Sequence, residues 1–137
     1  MARYPMTKPF QKSLSSGRVR IIVADQALSG WMDTLTAYVR SGEPDLTNRQ
    51  MALLLLVYLL PGPHTVRGIA HALNVSKPVV TRALNKLGAL GYLRRQRDDA
   101  DRRNIFVAKT REGAEFLEGF GELIGKTGAK ARQHEHA

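Results

Sequence analysis

Apolar positions fall at helical spacing along most of this chain. Ile21, Ala24, Leu28, Trp31, Leu35 and Tyr38 are separated by gaps of 3, 4, 3, 4 and 3, which lays one apolar stripe along a helix within residues 18–40. The β-branched run just before Asp25 leaves a second option, in which Asp25 starts the helix and RVRIIVA is extended. The stripe packs either on its own domain or on a second copy of the chain. Ser41-Gly42 and Pro44 stop this helix. Leu46 to Leu60 then opens with Thr47 and Gln50, a capping box, and continues as a helix apolar almost all round. That makes it the central core helix, with Tyr58 a packing residue, and Pro61-Gly62-Pro63 ends it.

Two short helices joined by a tight turn come next. Thr65 caps the first, which runs to about Leu73 with Ile69 and Leu73 inward and Ala70 small at a helix crossing. Asn74 stands where the turn needs a residue tolerant of the left-handed conformation, and Val75 plugs the turn. Ser76 caps the second helix, and Pro78 fits its first turn, where no intrahelical N–H bond is lost. Val80, Ala83, Leu84 and Leu87 fix its buried face. Lys77, Pro78, Thr81, Arg82, Asn85 and Lys86 lie opposite, with Val79 at the edge. After a glycine at 91, residues 94–97 and 105–109 read as two strands around the polar hairpin loop DDADRRN. Thr110 caps a last helix with the stripe Phe116, Leu117, Phe120, Leu123 and Ile124. Its many glycines, each costing ~1 kcal/mol against alanine, predict fraying beyond Lys126.

Domain organisation follows from these elements. Residues 1–17, with two prolines and no periodicity, read as a flexible arm, either a solvated tail or one whose Lys8 and Lys12, with Arg18 nearby, reach a DNA groove or phosphates. Residues 18–133 form one domain: an N-terminal helical segment (18–44), a core with its hairpin (45–110) and a C-terminal helix (111–133). Residues 134–137 form a disordered tail.

Composition sharpens the functional reading. The net charge is +9, and eleven of the 21 Lys and Arg residues fall between Arg67 and Arg111, about a third of the chain. That localisation turns a basic composition into a binding face for a polyanion, nucleic acid first. The absence of cysteine excludes disulfides, thiolate metal sites and thiol redox sensing. No cofactor or metal is expected; His134, Glu135 and His136 make a poor site on a mobile terminus. With no cysteine nucleophile, phosphate-binding glycine loop or His–carboxylate cluster, an enzyme is not expected. The apolar run 51–60 is too short to span a bilayer, and no secretory segment is visible, so a cytoplasmic protein is expected.

Residues 46 to about 113 resemble the MarR family of winged helix-turn-helix transcription regulators. The match rests on the LTxxQ opening (Leu46, Thr47, Gln50), the segment VSKPVVTRALNKLGALGYL, the wing DADRRN and the following TREG. The resemblance implies a mainly α fold with a small β-wing, a winged helix-turn-helix with flanking N- and C-terminal helices. It implies a homodimer on double-stranded DNA, with recognition helices in successive major grooves and wings in the flanking minor grooves. Arg103 falls on the wing-tip arginine that enters the minor groove, and Asp101 on the residue that orients it. Three departures stand out. Pro78-Val79 replaces the Ser-Thr of many relatives with apolar surface suited to a thymine methyl. Only about 27 residues follow Thr110, fewer than the family usually spends on its terminal helices. Relatives that sense peroxide do so through a thiol this chain lacks.

The expectation is therefore a sequence-specific DNA-binding regulator, a repressor on a palindromic operator, reading through helix 76–87 and wing 94–109. Ser76, Lys77, Pro78, Val79, Thr81, Arg82, Lys86, Arg95, Arg97, Arg102 and Arg103 are its DNA-binding residues. Ile21, Leu28, Trp31, Leu35, Phe116, Phe120 and Ile124 are the dimerisation candidates. A small-molecule effector, seated between core and dimer helices, is the remaining partner class, and no residue identifies one. The alternatives are a winged-helix module for protein partners and a non-specific, nucleoid-type DNA binder.

Overall fold

The computed structural model describes Tyr4 and residues 25–135, with side chains through residue 128. The rest of the basic arm with Lys8 and Lys12, the segment 18–24 with Arg18 and Ile21, and the side chains of the histidine-containing tail lie outside the described residues. Five helices and three short strands follow in the order α1 (Gln26–Ser41), α2 (Asn48–Leu59), β1 (His64–Thr65), α3 (Val66–Leu73), α4 (Lys77–Ala89), β2 (Leu93–Arg97), β3 (Ile105–Lys109) and α5 (Arg111–Glu135). They divide into two compact units. Pro44–Gly121 form one; of the described residues, those up to Glu43 and those from Glu122 onward form the other.

The local signals act as side-chain chemistry dictates. Thr47 accepts the Gln50 N–H at 3.1 Å while the Gln50 carboxamide accepts the Thr47 N–H at 2.9 Å, closing the capping box at the start of α2. Thr65 accepts the Gly68 N–H at 3.0 Å and so caps α3. Asn74 takes φ 53° and ψ 48°, the left-handed turn between α3 and α4. Ser76 is the exception. It occupies the N-cap of α4, yet its hydroxyl makes no capping bond. Pro78 has no N–H, so one of the two donors that an N-cap side chain normally serves is missing.

The core of the 44–121 unit is built from one face of each element. Leu53, Leu54 and Val57 of α2 meet Ile69 and Ala70 of α3, Val80, Ala83, Leu84 and Leu87 of α4, Leu93 of β2 and Val107 of β3. α2 is not buried all round, since Leu59 is exposed. The sheet has the order β1-β3-β2 with both pairings antiparallel. β1 is the element the apolar pattern misses. Its two residues pair His64 with Val107 and Thr65 with Phe106, which makes a three-stranded sheet of the expected hairpin. Two residues between Pro63 and the start of α3 carry no alternation, so periodicity has nothing to register.

Tyr58 does more than pack. Its hydroxyl lies 2.8 Å from the Tyr92 carbonyl oxygen and 3.0 Å from that of Thr110, and it accepts the Thr110 N–H at 2.9 Å. One phenol thus ties α2 to the segment after α4 and to the end of β3. Thr110 Oγ1 in turn donates to the Gly91 carbonyl at 2.6 Å and accepts the Gly113 N–H at 3.0 Å, which caps α5. Gly113 permits this crossing. A Cβ there would stand 2.1 Å from Tyr58 Oη and 2.2 Å from the Tyr92 carbonyl oxygen.

In the other unit, α1 starts at Asp25, whose carboxylate accepts the Leu28 N–H at 3.1 Å, and stops at Gly42 with φ 76°. Of the two expected starts, the structure takes the later. α1 buries Thr34 and Tyr38, while Leu28, Trp31 and Leu35 of the apolar stripe are exposed. Thr34 Oγ1 meets Thr127 Oγ1 of α5 at 2.5 Å, with both side chains buried. α5 continues to Glu135, past the point where its glycines predict fraying.

Candidate nucleic-acid interface

The charge pattern becomes an arrangement once α4 and the β2-β3 hairpin are in place. Residues 46–97 contain eight Lys and Arg and no Asp or Glu. Six of the eight (Lys77, Arg82, Lys86, Arg94, Arg95 and Arg97) lie on α4 and β2, and all six are exposed. Among the described residues, none of these cations, nor Arg102 or Arg103, is paired with a carboxylate. A surface that gathers cations and excludes compensating acids holds a positive potential, which suits a run of phosphates. The acid-free stretch is visible in the sequence, and it localises the charge more sharply than a count of basic residues does.

α4 presents the expected surface. Val80, Ala83, Leu84 and Leu87 are buried, and Ser76, Lys77, Pro78, Thr81, Arg82, Asn85 and Lys86 are exposed, with Val79 half-buried beside them. The Ser76 hydroxyl, without a capping bond, stands at the start of this helix with its hydrogen-bonding capacity unspent. No carboxylate in the described residues competes for Lys77, Arg82 or Lys86.

The hairpin tip is shaped by its own aspartates. Asp98 Oδ1 accepts the Ala100 N–H at 2.9 Å, and Asp101 Oδ1 accepts the Arg103 N–H at 3.0 Å. The Asn104 N–H reaches the Asp101 carbonyl at 2.9 Å, and the Asp98 N–H reaches the Asn104 carbonyl at 3.1 Å. Asp101 therefore positions Arg103 through its backbone amide and leaves the guanidinium exposed. Among the described residues there is no group of three or more His, Asp or Glu arranged to hold a metal ion.

Arg95 differs from its neighbours. In the β2 register it is two residues from buried Leu93, so the two side chains share a face of the strand, the face packed toward α4. Its Nη2 donates to the Thr81 carbonyl at 3.1 Å and to Asn85 Oδ1. The basic pattern of the sequence places Arg95 among the DNA-binding residues and does not register these two partners. Arg94 points to the opposite face and is exposed, a further cation that this set leaves out.

The dimerisation candidates separate by burial. Leu28, Trp31 and Leu35 are exposed on α1, accompanied by Met32 and Val39, and Ile124 is exposed on α5. Phe116 and Phe120 are not on a free face. Phe116 packs against the core and stacks on Tyr92 at a centroid distance of 4.5 Å, and Phe120 is buried, 6.5 Å from Phe116. The aromatic stripe of α5 is thus spent inside the chain. No helix of the described residues is long and apolar enough to cross a membrane.

Residues 45–104 match a family model described as MarR family. No curated protein sequence matches the chain. Among solved structures, the transcriptional regulator Tm0710 from Thermotoga maritima is 29% identical, over 79% of this chain and 73% of that one, with a TM-score of 0.64. A structure of MarR is 25% identical over 71% of this chain and 77% of its own, with a TM-score of 0.54. Reduced AbfR bound to DNA is 22% identical over 74% and 70%, with a TM-score of 0.57, a likeness of fold.

Proposed function

We propose that this chain, which belongs to the MarR family of winged helix-turn-helix transcription regulators, is a sequence-specific DNA-binding repressor that acts from the cytoplasm by occupying a palindromic operator. One observation carries the reading. α4 and the adjoining strand β2 expose cations over a stretch that contains no acidic residue from 46 to 97, and none of them is engaged by a carboxylate. Solvated surface charge is ordinarily mixed in sign, whereas a polyanion selects a single sign.

The parts divide the work by chemistry. Lys77, Thr81 and Arg82 read or position bases from the outer face of α4. Pro78 and Val79 offer apolar surface to a thymine methyl. Ser76 and Lys86, with Arg97 and Arg102, meet phosphates. Arg103 enters the minor groove, where a narrow groove concentrates negative potential. Two copies held by the exposed face of α1 place two recognition helices on half-sites about one helical turn (~10 bp) apart. A repressor of this design needs no catalytic group: it excludes other proteins from the DNA it covers.

Selection of bound DNA from a random pool tests the proposal. An imperfect palindrome is the expected result, with binding whose log–log salt dependence has a slope near −0.9 per phosphate contacted. Recovery without sequence preference would leave a non-specific DNA binder, and no recovery at all would overturn DNA binding in favour of a protein partner.

A further inference from the structure

We infer that Arg95 is a positioning residue, a strut from the wing that sets the recognition helix, and that Asn85 is its socket rather than a base-reading residue. The inference rests on the DNA-binding reading for its consequence, but its geometry belongs to the protein alone. Arg95 Nη2 bonds two groups one helical turn apart on α4, the Thr81 carbonyl at 3.1 Å and the Asn85 side-chain oxygen. The Thr81 carbonyl lies inside the helix, where the i→i+4 ladder already uses one of its lone pairs, so a second donor from outside fixes that turn against β2. Asn85 uses its acceptor oxygen on Arg95. A bidentate contact to adenine needs that oxygen together with the amide, so the strut takes from Asn85 the adenine-reading geometry its side chain would otherwise offer.

The position of Arg95 on its strand explains why it alone plays this part. Arg94 and Gln96 alternate to the other face, and Arg97 shares the face of Arg95 but lies two pairs nearer the hairpin tip, opposite Ile105. Leu93 anchors the same face in the core. The strut therefore stands between a buried anchor and the tip of the hairpin. It transmits the placement of β2 to Thr81 and Arg82, one of which carries the bonded carbonyl and the other of which follows it. A guanidinium is suited to this because one Nη carries two N–H bonds in a fixed plane, so a single nitrogen serves both acceptors.

The test is a double-mutant cycle of Arg95→Gln and Asn85→Ala, read in two ways. The first is operator affinity across a salt series. For a strut, each single variant weakens binding about fivefold. The double variant is no weaker than either single, and the salt slope stays at the wild-type value. A phosphate contact at Arg95 would lower the slope by ~0.9, and a base contact at Asn85 would give additive losses; either result overturns the inference. The second readout is amide hydrogen exchange over residues 93–109 in the DNA-free protein. Faster exchange in both single variants, with no further increase in the double, supports the strut. Exchange at wild-type rates overturns it. A wild-type chain that selects no DNA would overturn the proposed function, while the exchange cycle still decides the strut.

Discussion

At the scale of single residues, the wing tip and the Tyr58 crossing make opposite demands. Arg103 is held by its backbone and left free at its guanidinium, so its side chain contributes little to the fold and is available for the proposed binding. Arg103→Ala is expected to leave the melting temperature within about a degree, because exposed charges without partners contribute little. Operator affinity should fall by about 1–3 kcal/mol, measured by fluorescence anisotropy. Equal affinity would remove Arg103 from the interface. Gly113 behaves in reverse. A methyl group there meets an anchored hydroxyl at 2.1 Å and a backbone oxygen at 2.2 Å, and neither can yield without breaking the bonds of Tyr58. Gly113→Ala should cost at least about 1–3 kcal/mol in urea denaturation, the usual range for forced overpacking. Gly119→Ala, with nothing within 4 Å of the added atom, should gain up to ~1 kcal/mol from helix propensity. The sequence treats these glycines alike because propensity is local, while the phenol that distinguishes position 113 comes from a residue 55 positions away. Asn74 and the Thr47–Gln50 box were legible for the same reason turned round: their partners are three or four residues off.

At the scale of elements, periodicity carried most of the reading. α2, α3, α4 and the β2-β3 hairpin follow from spacing and punctuation, and the buried face of α4 is the one its apolar residues define. α1 shows what spacing leaves out. Leu28, Trp31 and Leu35 of its regular apolar stripe are exposed, and beside Tyr38 it buries a threonine. The Thr34 and Thr127 hydroxyls are 2.5 Å apart, and each can also donate to its own helix, Thr34 to the Gly30 carbonyl at 3.0 Å and Thr127 to that of Leu123 at 3.0 Å. Two hydroxyls share two protons, so one proton bridges the helices and the other returns to a carbonyl. The pair sets the register of α1 on α5 inside their unit, since a shift of either helix would strand a buried hydroxyl. Thr34→Val and Thr127→Val should each destabilise by about 1 kcal/mol. The double variant should cost clearly less than the sum, because replacing both partners removes the unmet bond. Strict additivity in denaturant titration would show that the two hydroxyls act independently.

At the scale of the whole molecule, the exposed apolar positions of α1 bear on the proposed reading of a palindrome. Leu28, Trp31, Met32, Leu35 and Val39 recur at helical spacing with relative exposures from 42% to 74%, so an apolar band lies open to water along the helix. A band of this kind, continuous and tryptophan-containing, is better accounted for by a partner surface than by scattered solvent-exposed residues. A second copy of the same helix is the partner that an isologous contact requires, and two-fold pairing gives the operator its symmetry. Because Phe116 and Phe120 are spent within the chain, the contact should depend on α1 with Ile124 rather than on the aromatic stripe of α5. Replacing Trp31 and Leu35 together by glutamate places two charges in the middle of the band while leaving the buried Thr34 and Tyr38 untouched. Under the proposed dimer, sedimentation equilibrium should then show a monomer for this variant and a dimer for the unaltered chain. Affinity for a full palindrome should drop to that for a single half-site, with the salt slope roughly halved because half the phosphates are contacted. A dimer that survives both charges would move the interface off α1. A monomer that still prefers the full palindrome would show that DNA, rather than this helix, brings the two copies together.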